Sequence, residues 1–241
     1  MAYEFEYMQL VVDLFQKAHD NNTEVIKDLA VKFADNIKSN RIIHVFGTGH
    51  SHMIGIELFC RAGGLANVNA MLDPDTLTAT GARRSGALEK LPGVSDIVYD
   101  QYNIKEGDIM IISSNSGRNA MPIEMAMRAK KEGVFTIACT NLHQSQNTTS
   151  RHPSGKRLFE ICDVILDNSV PDGDALMHVG KVATGPGSSL SSMFLLNTVI
   201  NEALQILEKE GVELPVLQSQ NVDGFNNDAL YEMYEDRVKH F

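Results

Sequence analysis

Two short stretches rich in glycine and serine follow predicted strands and carry the residue types of an anion site. The first, FGTGHSH, holds Gly47, Gly49 and Ser51, and the second, SSNSGRN, spans 113–119. Glycine lets the backbone approach a bound group closely, and serine and asparagine offer uncharged hydrogen-bond donors. A helix that begins at such a turn adds free N–H groups and a partial positive charge. Both stretches therefore predict an anion site, for which a phosphate is suited.

The side chains in the two turns are the candidate ligands of a phosphate. The expected phosphate ligands are Ser51, Ser114, Ser116 and Asn119, with Gly47, Gly49, Asn115 and Gly117 lining the site. A competing interpretation is that Ser114 and Asn119 only cap the helix that follows. A dinucleotide-binding turn is a lesser alternative, because His52 stands where its third glycine belongs, although Asp73 is placed to contact a ribose.

The elements that must position these turns alternate between strands and helices. Predicted strands lie at 42–46, 66–71, 108–113, 135–140 and 163–167, with helices between them at 51–62, 93–102, 119–132 and 155–162. This alternation predicts a three-layer α/β sandwich with a five-stranded parallel sheet of order 2-1-3-4-5. In that order the first and third strands are neighbours, so both turns open into one crevice.

Helices are also predicted on either side of this core. Two apolar patterns within 1–40 predict two N-terminal helices, the second capped by Asn22 or Thr23. The pattern at 188–210 leaves so little polar surface that we expect a helix buried in the domain or between subunits, where Glu202 needs a partner or a site. This predicts a homodimer or homotetramer.

The whole chain, 1–241, is predicted to be one domain: N-terminal helices at 1–40, an α/β core at 41–210 and a C-terminal tail and helix at 211–241. The long polar connections at 72–92 and 141–153 are expected to line the site, with unstructured surface loops as the alternative.

Composition excludes several classes of protein. A formal net charge of −10 argues against binding to nucleic acid. The chain has no run of 18 apolar residues and no basic secretory leader, so we expect a cytoplasmic protein without a membrane span. Its three cysteines form no paired motif, and His50 and His52 are not expected to share a face, so no metal site is predicted.

Basic residues in the loops are further candidates for an anion site. Arg83 and Arg84 lie in the first long connection, and His152 and Lys156 precede the fifth strand. Either pair could complete an anion site near the sheet edge, although loop cations are commonly only solvated. His44, inside a strand, is expected to be a hydrogen-bonded core residue.

The Gly-x-Gly-x-Ser turn and the Ser-x-Ser-Gly turn together resemble the sugar isomerase (SIS) domain family. The resemblance covers about 35–210 and is greatest to the phosphoheptose-isomerase-like members. It implies a phosphorylated sugar as ligand, a homo-oligomer with sites near the interface, and no nucleotide or redox cofactor. Asn119 departs from the hydroxyl residue usual at that position.

The resemblance weakens at the positions that carry catalysis. Phosphoheptose isomerases have an acid near the position of Arg61 and a histidine on the last buried helix, and this chain has neither. We expect an isomerase-like or lyase-like reaction with Glu57 as base and His50 or His52 polarising the sugar oxygen. The alternatives are that Glu57 only forms an ion pair, that the protein is a non-catalytic phosphosugar sensor or regulator, or that it is a phosphosugar lyase or etherase.

Overall fold

The computed structural model describes residues 5–241, so residues 1–4 of the predicted N-terminal segment lie outside the described residues. The helices and strands follow in chain order: α1 (Glu6–Lys38), β1 (Ile43–Gly47), α2 (Met53–Leu58), β2 (Val68–Met71), α3 (Ala82–Leu88), α4 (Val94–Tyr99), β3 (Ile109–Ser113), α5 (Ala120–Lys131), β4 (Phe135–Thr140), α6 (Leu142–Gln146), β5 (Val164–Asp167), β6 (Met177–Val179), β7 (Val182–Thr184), α7 (Ser188–Lys209) and α8 (Asp228–Tyr234).

The central sheet has five strands in the order β2-β1-β3-β4-β5, and all of its pairs are parallel. The predicted sheet order is therefore confirmed. β1 and β3 are neighbours, and Gly47, the last residue of β1, pairs with Ser113, the last residue of β3. The chain consequently leaves both strands side by side at the same edge.

Apolar side chains cover both faces of this sheet, as parallel sheets require. On one face, Val45 and Ile111 pack in a core with α1, α2 and α7. On the other, Phe46 and Ile112 pack with α4 and α5. The alternation of side chains along β1 and β3 feeds both cores, which explains why these strands are apolar throughout. The antiparallel hairpin β6–β7 and the C-terminal helix α8 lie outside this sheet.

The prediction of two N-terminal helices is wrong, because α1 runs without a break from Glu6 to Lys38. Asn22 does not start a new helix. Its side-chain amide donates to the carbonyls of Ala18 (2.6 Å) and Asp167 (2.8 Å), and its oxygen accepts from the N–H of Asp167 (3.0 Å). Thr23 bonds back to the carbonyl of His19 (3.0 Å). Asn22 and Thr23 resemble N-cap residues in the sequence, but their side chains form their hydrogen bonds in the middle of one continuous helix.

Two other predicted helices are shorter than expected. The segment 155–162 forms only a 3₁₀ turn at Leu158–Glu160, because Gly155 has a left-handed φ of 70° and the N–H of Leu158 bonds to the carbonyl of Gly117. The segment 51–62 forms a 3₁₀ turn and then α2, which ends before Cys60 at a left-handed φ of 41°. The prediction was wrong there because turn residues, rather than apolar spacing, end these helices.

α7 is less buried than its composition suggests. By length and mean hydropathy (1.2) it is one helix in the described chain that could cross a bilayer. It nevertheless packs against α1 and the sheet through residues such as Leu195 and Val199. A helix in the core of a domain can have the same length and hydropathy as a membrane-spanning helix. Glu202 is exposed and accepts from Gln205 (3.3 Å), so it faces solvent rather than a site.

A buried charge cluster holds the amino ends of β1 and β3 together. One oxygen of Asp108 accepts the N–H of Ile42 (3.1 Å), and the other accepts from His44 Nε2 (3.1 Å), the N–H of Lys105 (2.8 Å) and Arg237 (2.6 Å). The carboxylate is 1% exposed and the imidazole is fully buried. His44 is therefore a hydrogen-bonded core residue, as expected from the sequence.

The protonation states follow from burial and from these bonds. Burial lowers the pKa of His44 below its ordinary value, although Asp108 acts to raise it. Burial acts to raise the pKa of Asp108, but the hydrogen bonds from His44, Lys105 and Ile42 outweigh it and the pKa lies below its ordinary value. The pair is accordingly a neutral imidazole beside an ionised carboxylate, whose positive partner is Arg237.

We predict that Asp108→Asn lowers the free energy of unfolding by about 3 kcal/mol, because it leaves Arg237 and the strand N–H groups without a charged acceptor in a buried position. Thermal unfolding should shift down by about 10 °C. The control is Asp100→Asn, which removes a 64% exposed carboxylate from its ion pair with Arg128 and should change stability by less than about 1 kcal/mol. Equal losses in the two variants would contradict the assignment of Asp108 as a structural centre.

Candidate functional site

A cleft opens where the chain leaves β1 and β3. It is lined by residues from four segments: Ser51, Ile54, Ser113, Asn115, Asn168, Ser188, Ser189 and Ser192. The lining thus combines both predicted turns with Asn168 after β5 and the first residues of α7. Hydroxyl and amide groups dominate it, so it offers neutral donors rather than fixed charges.

Close packing within the first turn explains why a glycine ends β1. A Cβ added at Gly47 would lie 2.5 Å from the carbonyl oxygen of Ser51, too close for any other residue without a backbone shift. Gly49 has a left-handed φ of 57°. His52 is buried, and its ring contacts the carbonyl of Gly49 through Nδ1, so it braces the turn. These contacts fix the position of Ser51 at the start of the first helical turn.

The second turn closes on itself through Ser114. The hydroxyl oxygen of Ser114 accepts the N–H of Gly117 (3.3 Å), and Gly117 has a left-handed φ of 58°. Among residues 5–241, the backbone N–H groups of Asn115 and Ser116 form no hydrogen bond. Successive free N–H groups in such a turn form a concave anion-binding surface.

Asn115 is held by a network of amides. It donates to Gln144 (3.2 Å), and its side-chain oxygen accepts from Asn168 (2.9 Å). Its carbonyl accepts the N–H of Asn141 (3.0 Å). These bonds fix the second turn against the loops after β4 and β5. The loop predicted at 141–153 contains the short helix α6, whose first turn is capped by the side chain of Asn141, which accepts the N–H of Gln144 (3.0 Å).

The start of α7 also lines the cleft, but a carboxylate from the same chain already binds the N-terminal end of that helix. Asp174 accepts the N–H groups of Gly187 (3.0 Å) and Ser188 (2.6 Å) and the hydroxyl of Ser188 (2.6 Å). The first free N–H groups of α7 are therefore engaged within the chain. Ser189 and Ser192 still line the cleft.

The cleft is narrow. Its volume is about 10 Å³, close to the space that one water molecule needs. A phosphate therefore enters only if the hydroxyl side chains at its walls rotate.

Asn119 points away from this cleft lining, toward a carboxylate that the sequence did not indicate. Its amide nitrogen donates to Glu89 (2.6 Å), and its oxygen accepts from Arg151 (3.1 Å). Its backbone is extended, as in an N-cap residue, but its side chain does not cap α5. The alternative that Asn119 is a helix cap through its side chain is therefore not supported.

Glu57 lies in a different pocket, between α2 and α7. It forms an ion pair with Arg61 and accepts weakly from Asn197 (3.4 Å). This pocket, of about 230 Å³, is also lined by Gly63 and Ile200 and does not include the serines of the cleft. The predicted role of Glu57 as base stays a prediction, and the contact observed is the ion pair of the alternative interpretation.

The other basic candidates are spread over the surface. His50 and Arg83 are exposed, and Arg84 pairs with Asp75 (2.9 Å) in the loop. His152 contacts Glu124 (3.3 Å) beside a separate surface hollow. Lys156 is exposed, and its carbonyl accepts from the side chain of Ser150. The structure brings none of these side chains into the lining of the serine cleft. Within residues 5–241, no cluster of three His, Cys, Asp or Glu side chains is arranged to hold a metal ion.

The chain is similar in sequence to a known domain family and to full-length bacterial proteins. A family model described as SIS domain matches residues 6–141. A UPF0309 protein of Listeria monocytogenes serotype 4b is 35% identical over 236 residues, covering 96% of each chain. A UPF0309 protein of Thermoanaerobacter pseudethanolicus is 36% identical over 243 residues, covering 98% of each chain.

Several solved structures share the fold. The phosphoheptose isomerase of Neisseria gonorrhoeae superposes with a TM-score of 0.55 at 18% identity, covering 81% of this chain and 93% of that one. The NanR protein of Vibrio vulnificus, complexed with ManNAc-6P, superposes with a TM-score of 0.52 at 15% identity, covering 85% of this chain and 63% of that one. At these identities the likeness establishes the fold.

We predict that Gly47→Ala destabilises the protein by about 1–3 kcal/mol, because the new methyl group overlaps the carbonyl of Ser51 and forces the turn to move. The matched control is Gly86→Ala in α3, where no atom lies within 4 Å of the added Cβ and alanine favours the helix. Urea unfolding measures both. Equal stabilities would show that the first turn is not tightly packed.

Proposed function

The chain belongs to the SIS domain family, and on that premise we propose that it binds a phosphorylated sugar in the cleft at the carboxyl ends of β1 and β3. In this proposal the phosphate is held by the hydroxyl of Ser51, which lines the cleft. The hydroxyls of Ser114 and Ser116 and the free N–H groups of the second turn, which lie next to the lining residues Ser113 and Asn115 in the chain, complete its ligands. The sugar extends along the sheet edge toward the loops at 72–92 and 141–153.

One observation carries the proposal. Side chains that are far apart in the sequence, from Ser51 to Ser192, converge on a single small cleft with little apolar lining. A phosphate has many acceptor oxygens and no donors when fully ionised, so a wall of hydroxyl and N–H donors is its complement. This lining contains no lysine or arginine, so the attraction is assigned to neutral hydroxyl groups and free backbone N–H groups.

The relatives point in the same direction. Two of the solved structures with this fold are phosphoheptose isomerases, from Neisseria gonorrhoeae and Francisella tularensis, and NanR of Vibrio vulnificus was solved with ManNAc-6P. These neighbours include two isomerases and a protein with a bound sugar phosphate. They support a phosphosugar as the ligand class and leave isomerisation and sensing as separate proposals.

We also propose that the protein is a homodimer or a larger homo-oligomer that pairs through α1 and α7. Phe15 of α1 stacks on Phe194 of α7 with ring centroids 4.7 Å apart, and both rings are only half-buried. Around them Met8 is 50% exposed, Val12 37% and Leu190 39%. A second copy of the chain would cover this apolar strip, as the composition of α7 predicts.

We predict that a sugar phosphate at 100 times its Kd raises the melting temperature by about 5 °C. Glucose 6-phosphate, fructose 6-phosphate, N-acetylmannosamine 6-phosphate and sedoheptulose 7-phosphate are the probes, with the unphosphorylated sugars and inorganic phosphate as controls. Ser51→Ala and Ser116→Ala should each weaken binding about tenfold, the value of one hydrogen bond to a charged group.

Ser114→Ala is a less clean test, because it also removes the acceptor for Gly117. The matched control is Ser39→Ala, which alters an exposed hydroxyl at the opposite edge of the sheet. If no sugar phosphate stabilises the wild type, or if Ser39→Ala weakens binding as much as Ser116→Ala, the proposed site is wrong.

We predict that the chain sediments as a dimer or larger species at micromolar concentration, well above its 26.6 kDa protomer mass. Met8→Glu with Val12→Glu places charge in the proposed interface and should give monomers. Ile97→Glu is the control, since Ile97 is 66% exposed on α4, across the sheet from α7. A monomeric wild type would exclude pairing through α1 and α7.

A further inference from the structure

Glu89 joins the two turns of the candidate site. It follows α3 in the long connection at 72–92, and its side chain accepts from Thr48 (2.8 Å) and Asn119 (2.6 Å) through different oxygens. Thr48 lies between the two glycines of the first turn, and Asn119 ends the second. The carboxylate therefore bridges the two turns, outside the cleft lining that the start of α7 completes.

The backbone of Glu89 fixes this position. Its carbonyl accepts the N–H of Met121 (3.1 Å) in the first turn of α5, and its N–H bonds to the carbonyl of Ser85 (3.0 Å) at the end of α3. Glu89 is thus bonded to the site-forming segments at Thr48 and Asn119 through its side chain and at Met121 through its backbone. Such anchoring is what a group that must meet a reacting atom requires.

The partners of Glu89 leave its charge available. Thr48 and Asn119 are neutral donors, and a carboxylate has about four lone-pair sites, so two hydrogen bonds leave room to receive a proton. Within the described residues no ion pair involves Glu89, whereas Glu57 is bound to the guanidinium of Arg61. Glu89 is also only half-buried, so part of the residue is accessible from solvent.

A carboxylate beside two anion-binding turns works against phosphate affinity, because like charges repel. A neutral glutamine could accept from Thr48 with no such cost. A negative charge at Glu89 is explained if the carboxylate acts on the sugar while the phosphate binds in the serine-lined cleft.

We propose that Glu89 is the base that removes the proton from the carbon next to the carbonyl of a bound phosphosugar. This rests on the proposed function. The carboxylate takes the proton from C2 of an aldose, the C–H electron pair forms the C1–C2 double bond, and the π pair of the C1 carbonyl moves to O1. The hydroxyl proton on O2 moves to O1. A lone pair of O2 then forms the C2 carbonyl while the C1–C2 π pair takes the proton back from Glu89 at C1, which gives the ketose and restores the carboxylate. No oxidant, reductant or metal enters the balance.

The test separates binding from proton transfer. Wild type and variants are incubated in deuterium oxide with each of the four sugar phosphates above, and deuterium at C1 and C2 is followed by NMR. Glu89→Gln should bind the stabilising sugar phosphate within a few-fold of the wild-type Kd and exchange about 100-fold more slowly or worse, the usual effect of losing a general base. The matched control is Glu132→Gln, an exposed partner of Arg128 on α5, which should exchange at the wild-type rate.

Two further variants keep the result decisive. Glu89→Asp keeps a carboxylate as acceptor for Asn119 but shortens the side chain by one methylene. It replaces Glu89→Gln if that variant melts below the assay temperature. Deuterium exchange by Glu89→Asp should be at least tenfold slower than exchange by the wild type. Glu57→Gln tests the base expected from the sequence. The proposal is overturned if a folded Glu89 variant exchanges as fast as wild type, if only Glu57→Gln abolishes exchange, or if a sugar phosphate binds and no deuterium enters it. A failure of the proposed function differs from these outcomes, because then no sugar phosphate raises the melting temperature.

Discussion

The register between β1 and β3 is the constraint on which the site depends. Parallel pairing of Gly47 with Ser113 makes both strands end at the same level, so the two turns begin side by side. A slip by one residue would exchange the faces of every side chain along the strand and would disrupt the packing of both cores. The apolar residues of both cores fix this register, and the geometry of the site follows from the packing of Val45, Phe46, Ile111 and Ile112.

Around this fixed pair the remaining segments contribute in different ways. The amide network of Asn115 and Asn168 ties the second turn to the loops after β4 and β5. The contacts of Glu89 tie the first long connection to both turns. The two parts of the site thus differ in chemistry: hydroxyl and amide side chains line the cleft beside the start of α7, and a carboxylate whose backbone is bonded to α5 bridges the turns. That asymmetry suits a ligand that is anionic at one end and neutral at the other.

The sequence predicted the sheet well because strand length and alternation are local properties. β4 matches its predicted range, 135–140, and the order of all five strands is correct. The continuous α1 was missed because the partner of Asn22 is Asp167, 145 residues away. Glu89 was missed for the same reason, since it meets Thr48 and Asn119 across 41 and 30 residues and carries no motif. The serines of α7 were visible in the sequence, but only the fold shows that Ser189 and Ser192 line the cleft.

The buried cluster of Asp108, His44 and Arg237 lies at the amino ends of β1 and β3, and the cleft lies at their carboxyl ends. What holds these strands together is therefore spatially separate from what contacts a ligand. Substitutions of the hydroxyl side chains in the turns can therefore change recognition while leaving the Asp108 cluster intact, whereas substitutions around Arg237 change stability at the far end of the strands. Because the two regions are separate, related proteins can differ in the ligand that they bind while they keep the same fold.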